Sequence, residues 1–431
     1  YHQQSRDIHA NFTDSGDNVM LVRNRKSRIY YSQQFFDYPI KLNPDTLRKL
    51  GLIKVMRIGI SYVKSTLFPI RNEKNLEEFF INRFGKELYL TFFKEYTEKV
   101  WGHPCNEISA EWGKQRIKGL SLRKALWHFI AGFFGKDDGI RQKKQETSLI
   151  ERFLYPKLGP GQLWESVRDE VLQKGGKLKM NSRCTGIRSE GNKIQAVEIT
   201  HSNGQSEWLE ADYFFSTMPI KDLINGWQSE VPQDVKRVAN GLEYRDFFTV
   251  GLLVDQLKIS EGHHDAPKLI QDNWIYIQEP GVEIGRLQIF NNWSPYLVAK
   301  EGTVWLGLEY FCKESDEIWH RNDQALIELG QTELSKIGII DYEAVKDACV
   351  IRMPKTYPAY FGSYSEFGIL RSFLDQFENL FPVGRNGMHK YNNQDHSMLT
   401  AIAAVDNILA GRSDKSNLWE INTEEEYHEE K

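Results

Sequence analysis

The feature that most constrains the fold lies near the C-terminal end. Leu380-Phe-Pro-Val383 is an apolar run of strand length, and Gly384-Arg385-Asn386-Gly387 follows it at once. From about Ser397 to Ala410 the chain reads as a helix. A buried strand that passes through a glycine-lined loop into a helix is an α/β arrangement. The helix start offers unpaired N–H groups and positive potential. Asp395, His396 and Ser397 crowd the expected N-cap, and Ala401, Ala403 and Ala404 leave room for a flat group. Arg385 adds a cation with a planar fork of donors. Together these suit an anionic, planar or diphosphate ligand. A capped helix beside a surface arginine is the plainer reading of the same residues. His389 and His396 read as caps or satisfied polar groups before they read as acid–base candidates.

Composition narrows the class. The 431 residues allow two domains or more, and 40% hydrophobic residues with a mean hydropathy of −0.52 exclude a membrane bundle or a disordered chain. Cys105, Cys184, Cys312 and Cys349 form no C-x-x-C pair, so neither a metal site nor a disulfide framework is expected. A reduced, cytoplasmic protein is the plain reading, and the N-x-[ST] triplets at Asn11 and Asn292 do not change it.

Charge is uneven. The first 150 residues carry 26 Lys and Arg against 16 Asp and Glu, and the remainder carries 29 against 43. A basic block attracts phosphates, anionic lipid or nucleic acid, or it faces an acidic domain. The absence of a zinc finger, helix-turn-helix or ribonucleoprotein motif makes nucleic acid the least favoured partner. No apolar run reaches the roughly 18 residues of a spanning helix. The longest, Ala125–Gly135, follows Lys114, Arg116, Lys118, Arg123 and Lys124; it reads as a core-facing helix over a cleft in preference to a membrane-surface helix.

Along the chain, strands are expected at Asn18–Val22 and Arg28–Tyr31. Helices follow from about 44 to 150. Leu76, Phe79, Phe80, Phe84, Leu88, Phe92 and Tyr96 fall on one helical face, with a break at Gly85 and a stop near Gly102 and Pro104. Gln162–Lys174 reads as a helix. Lys177–Met180, Cys184–Ile187, Ile194–Thr200 and Ser206–Leu209 read as a meander with turns at Gly191-Asn192 and Asn203-Gly204. Tyr213–Ser216 is a short strand, and four alternating runs in 242–312 predict a broad antiparallel sheet. The acidic tail from Glu424 is expected to be disordered.

Two further segments carry chemistry. Phe92-Phe-Lys-Glu-Tyr96-Thr-Glu-Lys99-Val-Trp101-Gly102 sets an aromatic pair near Glu111-Trp-Gly-Lys-Gln-Arg116, a combination that suits a flat anion or a packed core helix. Ala211-Asp-Tyr-Phe-Phe-Ser216-Thr-Met218-Pro219-Ile is a strand end with a small polar pair and a proline turn.

With Leu154-Tyr155-Pro156-Lys-Leu-Gly159-Pro-Gly161-Gln, these segments resemble the flavoenzyme superfamily of amine oxidases, protoporphyrinogen oxidases and UDP-galactopyranose mutases. The mutase pattern Tyr-Thr-x-Lys-x-Trp-Gly stands here as Tyr96 to Gly102, and Gly-Arg-x-Gly-x-x-x-Tyr as Gly384 to Tyr391. The resemblance implies a mixed α/β fold of FAD/NAD(P)-binding type, with a helical cap and an antiparallel-sheet substrate domain. It implies segments at 1–43, 44–155 (helical cap), 156–222 (flavin domain), 223–360 (substrate sheet), 361–412 (flavin domain) and 413–431 (acidic tail). It implies FAD, held by Cys184, Ser216, Met218, Pro219, Gly384, Arg385, Asn392, Asp395, His396, Ser397 and Met398. A small-molecule substrate, a nucleotide sugar being one class, would meet Tyr96, Trp101, Arg116, Tyr244, Arg245 and Tyr391. The reaction would be hydride transfer to flavin N5, with Arg385 in support, or sugar-nucleotide isomerisation on reduced flavin. A fragment inactive by itself is the third reading. Phe214–Ile220 looks more like the oxidase branch, and Asn393 stands where mutases carry an acid. No G-x-G-x-x-G follows an N-terminal strand, and the chain starts at Tyr1. The expectation is therefore an N-terminally incomplete flavin domain that binds FAD weakly or not at all.

Overall fold

The computed structural model describes residues 16–38, 40, 43–110, 152–259 and 269–421. Strands β1 (Met20–Asn24), β2 (Ser27–Tyr31) and β3 (Gln34–Asp37) come first. Ser32 and Gln33 both take positive φ, the two-residue turn that matches the twist of a β2–β3 hairpin. Then come α1 (Pro44–Leu50), α2 (Leu52–Leu67), α3 (Leu76–Phe84), α4 (Lys86–Phe92) and α5 (Lys94–Trp101). The single aromatic stripe thus bends into three helices. Gly85 makes the first bend at φ 79°, and a Cβ there would lie 2.8 Å from the Tyr62 backbone nitrogen on α2, so only glycine fits. Gly102, left-handed at φ 67°, ends α5. Phe79, Phe80, Phe84, Leu88, Tyr89 and Phe92 are buried, and the Phe84 and Phe93 rings stack at 4.7 Å.

Beyond 152 the order is β4 (Arg152–Pro156), α6 (Pro160–Gln173), β5 (Ser182–Glu190), β6 (Lys193–His201), β7 (Ser206–Glu210), β8 (Phe214–Ser216), α7 (Ile220–Asn225) and α8 (Gln233–Asn240). Lys177–Met180 is not a strand. Those residues are exposed and pair with no strand, and the meander begins at Ser182. There follow β9 (Tyr244–Val254), β10 (Trp274–Ile277), β11 (Arg286–Ile289), β12 (Val304–Cys312), α9 (Asp323–Lys336), β13 (Val345–Pro358), α10 (Phe367–Asp375), β14 (Leu380–Pro382), α11 (Gln394–Leu409) and α12 (Ser416–Glu420). Helix α11 starts three residues earlier than the sequence suggests, because Asn393 is its N-cap and His396 completes a capping box.

Two compact units result. One joins residues up to 175 with Phe247–Arg352, and the other joins Gly176–Asp246 with the chain from Met353. The first is organised by a seven-stranded sheet in the order β13-β9-β12-β11-β10-β2-β3. It is not purely antiparallel, since β10 and β2 run parallel. Pleat alternation sends Ile275, Ile277, Leu287, Ile289, Leu306 and Leu308 into a core shared with Leu326 and Leu334 of α9. Each such side chain contributes roughly 1.5–3 kcal/mol of burial. The opposite face presents Trp274, Tyr276, Arg286 and Gln288. The second unit packs α7, α8 and α10 with Ile187, Ile194 and Leu380 in one cluster.

Two lysines stitch the second unit. Lys390 Nζ donates to the carbonyls of Trp419 and Ile421, each at 2.7 Å, and Lys415 Nζ donates to those of Phe377 and Leu380. Burial pushes both ammonium groups down to about 8, with Arg371 adding to the effect at Lys390. The unfolded chain holds these protons up to about 10.5, so it binds more protons than the fold between those pH values. Between about pH 8 and 10 these two lysines should therefore make folding stability rise with pH. Denaturant midpoints across that window check this, and the slope should shrink in Lys415→Met.

Candidate functional site

In the second unit β14 lies parallel to β8, with Leu380 opposite Phe214 and Pro382 opposite Ser216. Val383 N–H continues the pairing to Ser216 O at 2.9 Å. Gly384 then turns the chain at φ 74°, and its N–H reaches Thr400 Oγ1 on α11 at 3.0 Å. A helical turn over Gly384–Gly387 lies directly on the end of β8: a Cβ at Gly387 would sit 2.2 Å from Ser216 O. The glycines therefore seat backbone against backbone.

Three buried polar atoms here have no hydrogen-bond partner among the described residues: Ser216 Oγ, Asn386 Oδ1 and His389 Nδ1. Asn386 Nδ2 is anchored on Lys355 O at 2.9 Å. His389 Nε2 lies 3.0 Å from Ala359 O, so it carries the proton, and Nδ1 is a bare acceptor. Burial pushes this imidazole down to about 4, which leaves it neutral at physiological pH. Such atoms either face water or wait for a ligand.

Arg385 is a clamp. Its Nε and Nη2 donate to Asn392 O at 3.1 and 2.7 Å, and Nη1 donates to Thr356 O at 3.2 Å. The guanidinium lies beside Tyr357 and Tyr391, 5.2 and 4.8 Å from their ring centres, and those two rings stack on each other at 5.7 Å. It thereby fixes the loop that delivers α11. Ser397 Oγ donates to Asn392 Oδ1 at 3.0 Å. Asp395 is held below the usual carboxylate range, first by its hydrogen bond to His396. Met398 is more than one-third exposed on α11.

The fold thus gathers Ser216, Gly384, Arg385, Tyr391, Asn392, Asp395, His396 and Ser397 into one contiguous network. Tyr244 joins its edge, its ring meeting His389 at 4.8 Å, and Arg245 is buried beside it in the chain. Met218 packs on the core cluster, and Pro219 is the N-cap of α7. Cys184 stands on β5 opposite Ile199, its thiol raised by burial. Tyr357 and Thr356 escape sequence reasoning, because nothing local marks the end of β13 as the partner of a distant arginine.

In the first unit, Tyr96 lies on the aromatic face of the sheet. Its ring meets Tyr276 at 5.3 Å, and Tyr276 meets Tyr38 at 4.5 Å. Burial raises the Tyr96 phenol well above its usual value, with Arg286 opposing. Glu309 accepts from Arg286 Nε and Gln288 Nε2, each at 2.8 Å. Trp274 stacks on Trp293 at 5.5 Å, Arg25 lies over it at 5.1 Å, and its buried Nε1 has no hydrogen-bond partner among the described residues. Lys99 Nζ donates to Ile284 O at 3.0 Å and ties α5 to this sheet. Trp101 is buried, 4% exposed. Arg116 and the Ala125–Gly135 segment lie outside the described residues. The two-residue alternation of Trp274-Ile-Tyr-Ile and Arg286-Leu-Gln-Ile is the signal by which this face could have been found.

Replacing Gly387 by alanine should force the 384–387 turn off β8 and cost about 1–3 kcal/mol. A thermal melt that matches the parent would contradict the contact.

No family model matches the chain. Its structure is similar to that of a reduced UDP-galactopyranose mutase, with TM-score 0.74, 22% identity, and coverage of 93% of this chain and 80% of the mutase. It is also similar to a protein designated protoporphyrinogen oxidase from Exiguobacterium sp. 255-15, at TM-score 0.59, 15% identity, and 94% and 85% coverage. An oxidoreductase from Methanosarcina mazei follows at TM-score 0.50, 12% identity, and 80% and 73% coverage. The mixed α/β fold is shared with the two enzymes that the motifs resemble.

Proposed function

We propose that this chain is a flavin-dependent enzyme of the oxidoreductase class, with FAD held by the second unit. The observation that carries the reading is the strand, glycine turn and helix around Ser216 and Gly387, where three buried polar atoms lack hydrogen-bond partners among the described residues. These residues fit the ring and ribityl end of a flavin: polar atoms beside a helix start and a nearby cation. The pyrophosphate end has no counterpart in a G-x-G-x-x-G turn.

Bound FAD supplies a two-electron acceptor for hydride from substrate. The chain's own part is placement. Arg385 locks the loop to Asn392 and Thr356, and the positive end of α11 favours negative charge nearby. His389, neutral with a fixed tautomer, offers an acceptor and not a proton. A cytoplasmic location belongs to the same reading, supported by four free thiols.

Sugar-nucleotide isomerisation is the second reading. It is supported by the Tyr96–Gly102 segment and by the mutase likeness. Arg286 and the aromatic face would then meet the small-molecule substrate.

Flavin fluorescence quenching on the full chain tests the cofactor. FAD and riboflavin should bind within about tenfold of each other, less than 1.4 kcal/mol apart, because the fit lies at the end they share. Failure of both to bind overturns the reading. Anaerobic bleaching of the bound flavin by amines supports oxidation; turnover of UDP-galactose only after prior reduction supports isomerisation.

A further inference from the structure

Helix α2 uses one face inside the first unit and leaves another uncovered by the described residues. Ile58 and Ser65 are buried, and the backbone at Tyr62 touches Gly85. On the other side Leu52, Ile53, Met56, Ile60, Val63 and Leu67 are 50 to 74% exposed. At about 100° per residue these six span an arc of only about 100°. Phe68, 75% exposed, extends the stripe at its end. A contiguous apolar face of this kind marks an interaction surface.

Charge says what it meets. Lys54, Arg57 and Lys64 lie on α2, and the helix has no acidic residue. Arg57 and Lys64 fall at one edge of the stripe. Beside the start of the helix opens a cleft of about 760 Å³, with Leu50, Ile53 and Leu90 on its walls and Lys54, Arg57 and Glu87 around it. Lys54 Nζ is hydrogen-bonded to Tyr31 OH at 2.9 Å, which holds the ammonium at the cleft. A second copy packed α2 against α2 would bring Arg57 and Lys64 against like charges, with no carboxylate on α2 to pair them. An anionic lipid surface pairs all of them. Among the described residues no helix is long and apolar enough to cross a membrane, so the contact is with the surface.

We propose that α2 is a docking helix for an anionic membrane surface, with its apolar stripe entering the headgroup boundary and the adjoining cleft receiving lipid phosphate at Lys54 and Arg57. The geometry is that of an interfacial helix: apolar on one side, basic at the edge, and lying in the plane of the interface.

Sedimentation of the full chain with phosphatidylcholine vesicles, with and without phosphatidylglycerol, tests this. The chain should pellet with the anionic vesicles, and added salt should release it. Ile60→Glu with Val63→Glu should abolish pelleting with the thermal melt unchanged, since both side chains are exposed. Arg57→Gln and Lys64→Gln should each weaken it about fivefold. Equal binding to both vesicle types, or binding to neither, overturns the proposal. So does a dimer in sedimentation equilibrium that Ile60→Glu dissociates, because the face then belongs to a second copy.

Discussion

Everything at the candidate site depends on how β14 is held beside β8, and the buried side chain of Asn379 is central to that. Its Oδ1 accepts from Ile194 N–H at 2.8 Å, and its Nδ2 donates to Ile194 O and Asp212 O at 2.9 and 3.1 Å. One amide thus joins β6 of the meander, the approach to β8 and the start of β14. Leaving such buried partners unpaired would cost about 1–3 kcal/mol each. Phe214 N–H adds a bond to Asn379 O. With β14 so placed, Gly387 lands on Ser216 and the positive end of α11 is carried to a defined point. Three neutral polar atoms then remain buried without partners among the described residues, a cost the fold tolerates where a ligand or ordered water completes the set.

The first unit follows a different rule. Its central sheet is apolar on one face and aromatic, cationic and hydrogen-bonded on the other, and strict alternation along β10 and β11 separates the two. Helix α5 is attached through Lys99, whose ammonium caps carbonyls at the ends of these strands. The Tyr96–Gly102 segment is therefore a structural device as well as a candidate binding element. Tyr96 joins the aromatic face, Lys99 holds the helix to the sheet, Trp101 fills the core, and Gly102 ends the helix.

Much of this was legible beforehand. The aromatic stripe of 76–96, the turn glycines at 191 and 204 and the final strand-to-helix passage all announce themselves through local spacing. So does the bend at Gly85, although its reason, contact with Tyr62, does not. Lys177–Met180 misled because alternation in so short a run is compatible with exposed loop as well as strand. Arg385 is present in the motif, whereas its bonds to Thr356 and Asn392, which make it a loop clamp as well as a candidate ligand cation, are not. The stripe of α2 is likewise written in the sequence, but two of its faces are apolar, and only packing against α3 and α4 decides which one is left outside.

Local spacing, glycine positions and charge bias determined by themselves that the chain alternates helices with short strands, that a strand, glycine turn and helix close its second unit, and that its first third is basic. Tertiary structure alone decided which strands became neighbours, which polar atoms were buried without partners and which helix face met solvent. The reason is physical. Turns and helix periods depend on contacts within a few residues, whereas burial and parallel pairing depend on groups that only the completed fold brings together.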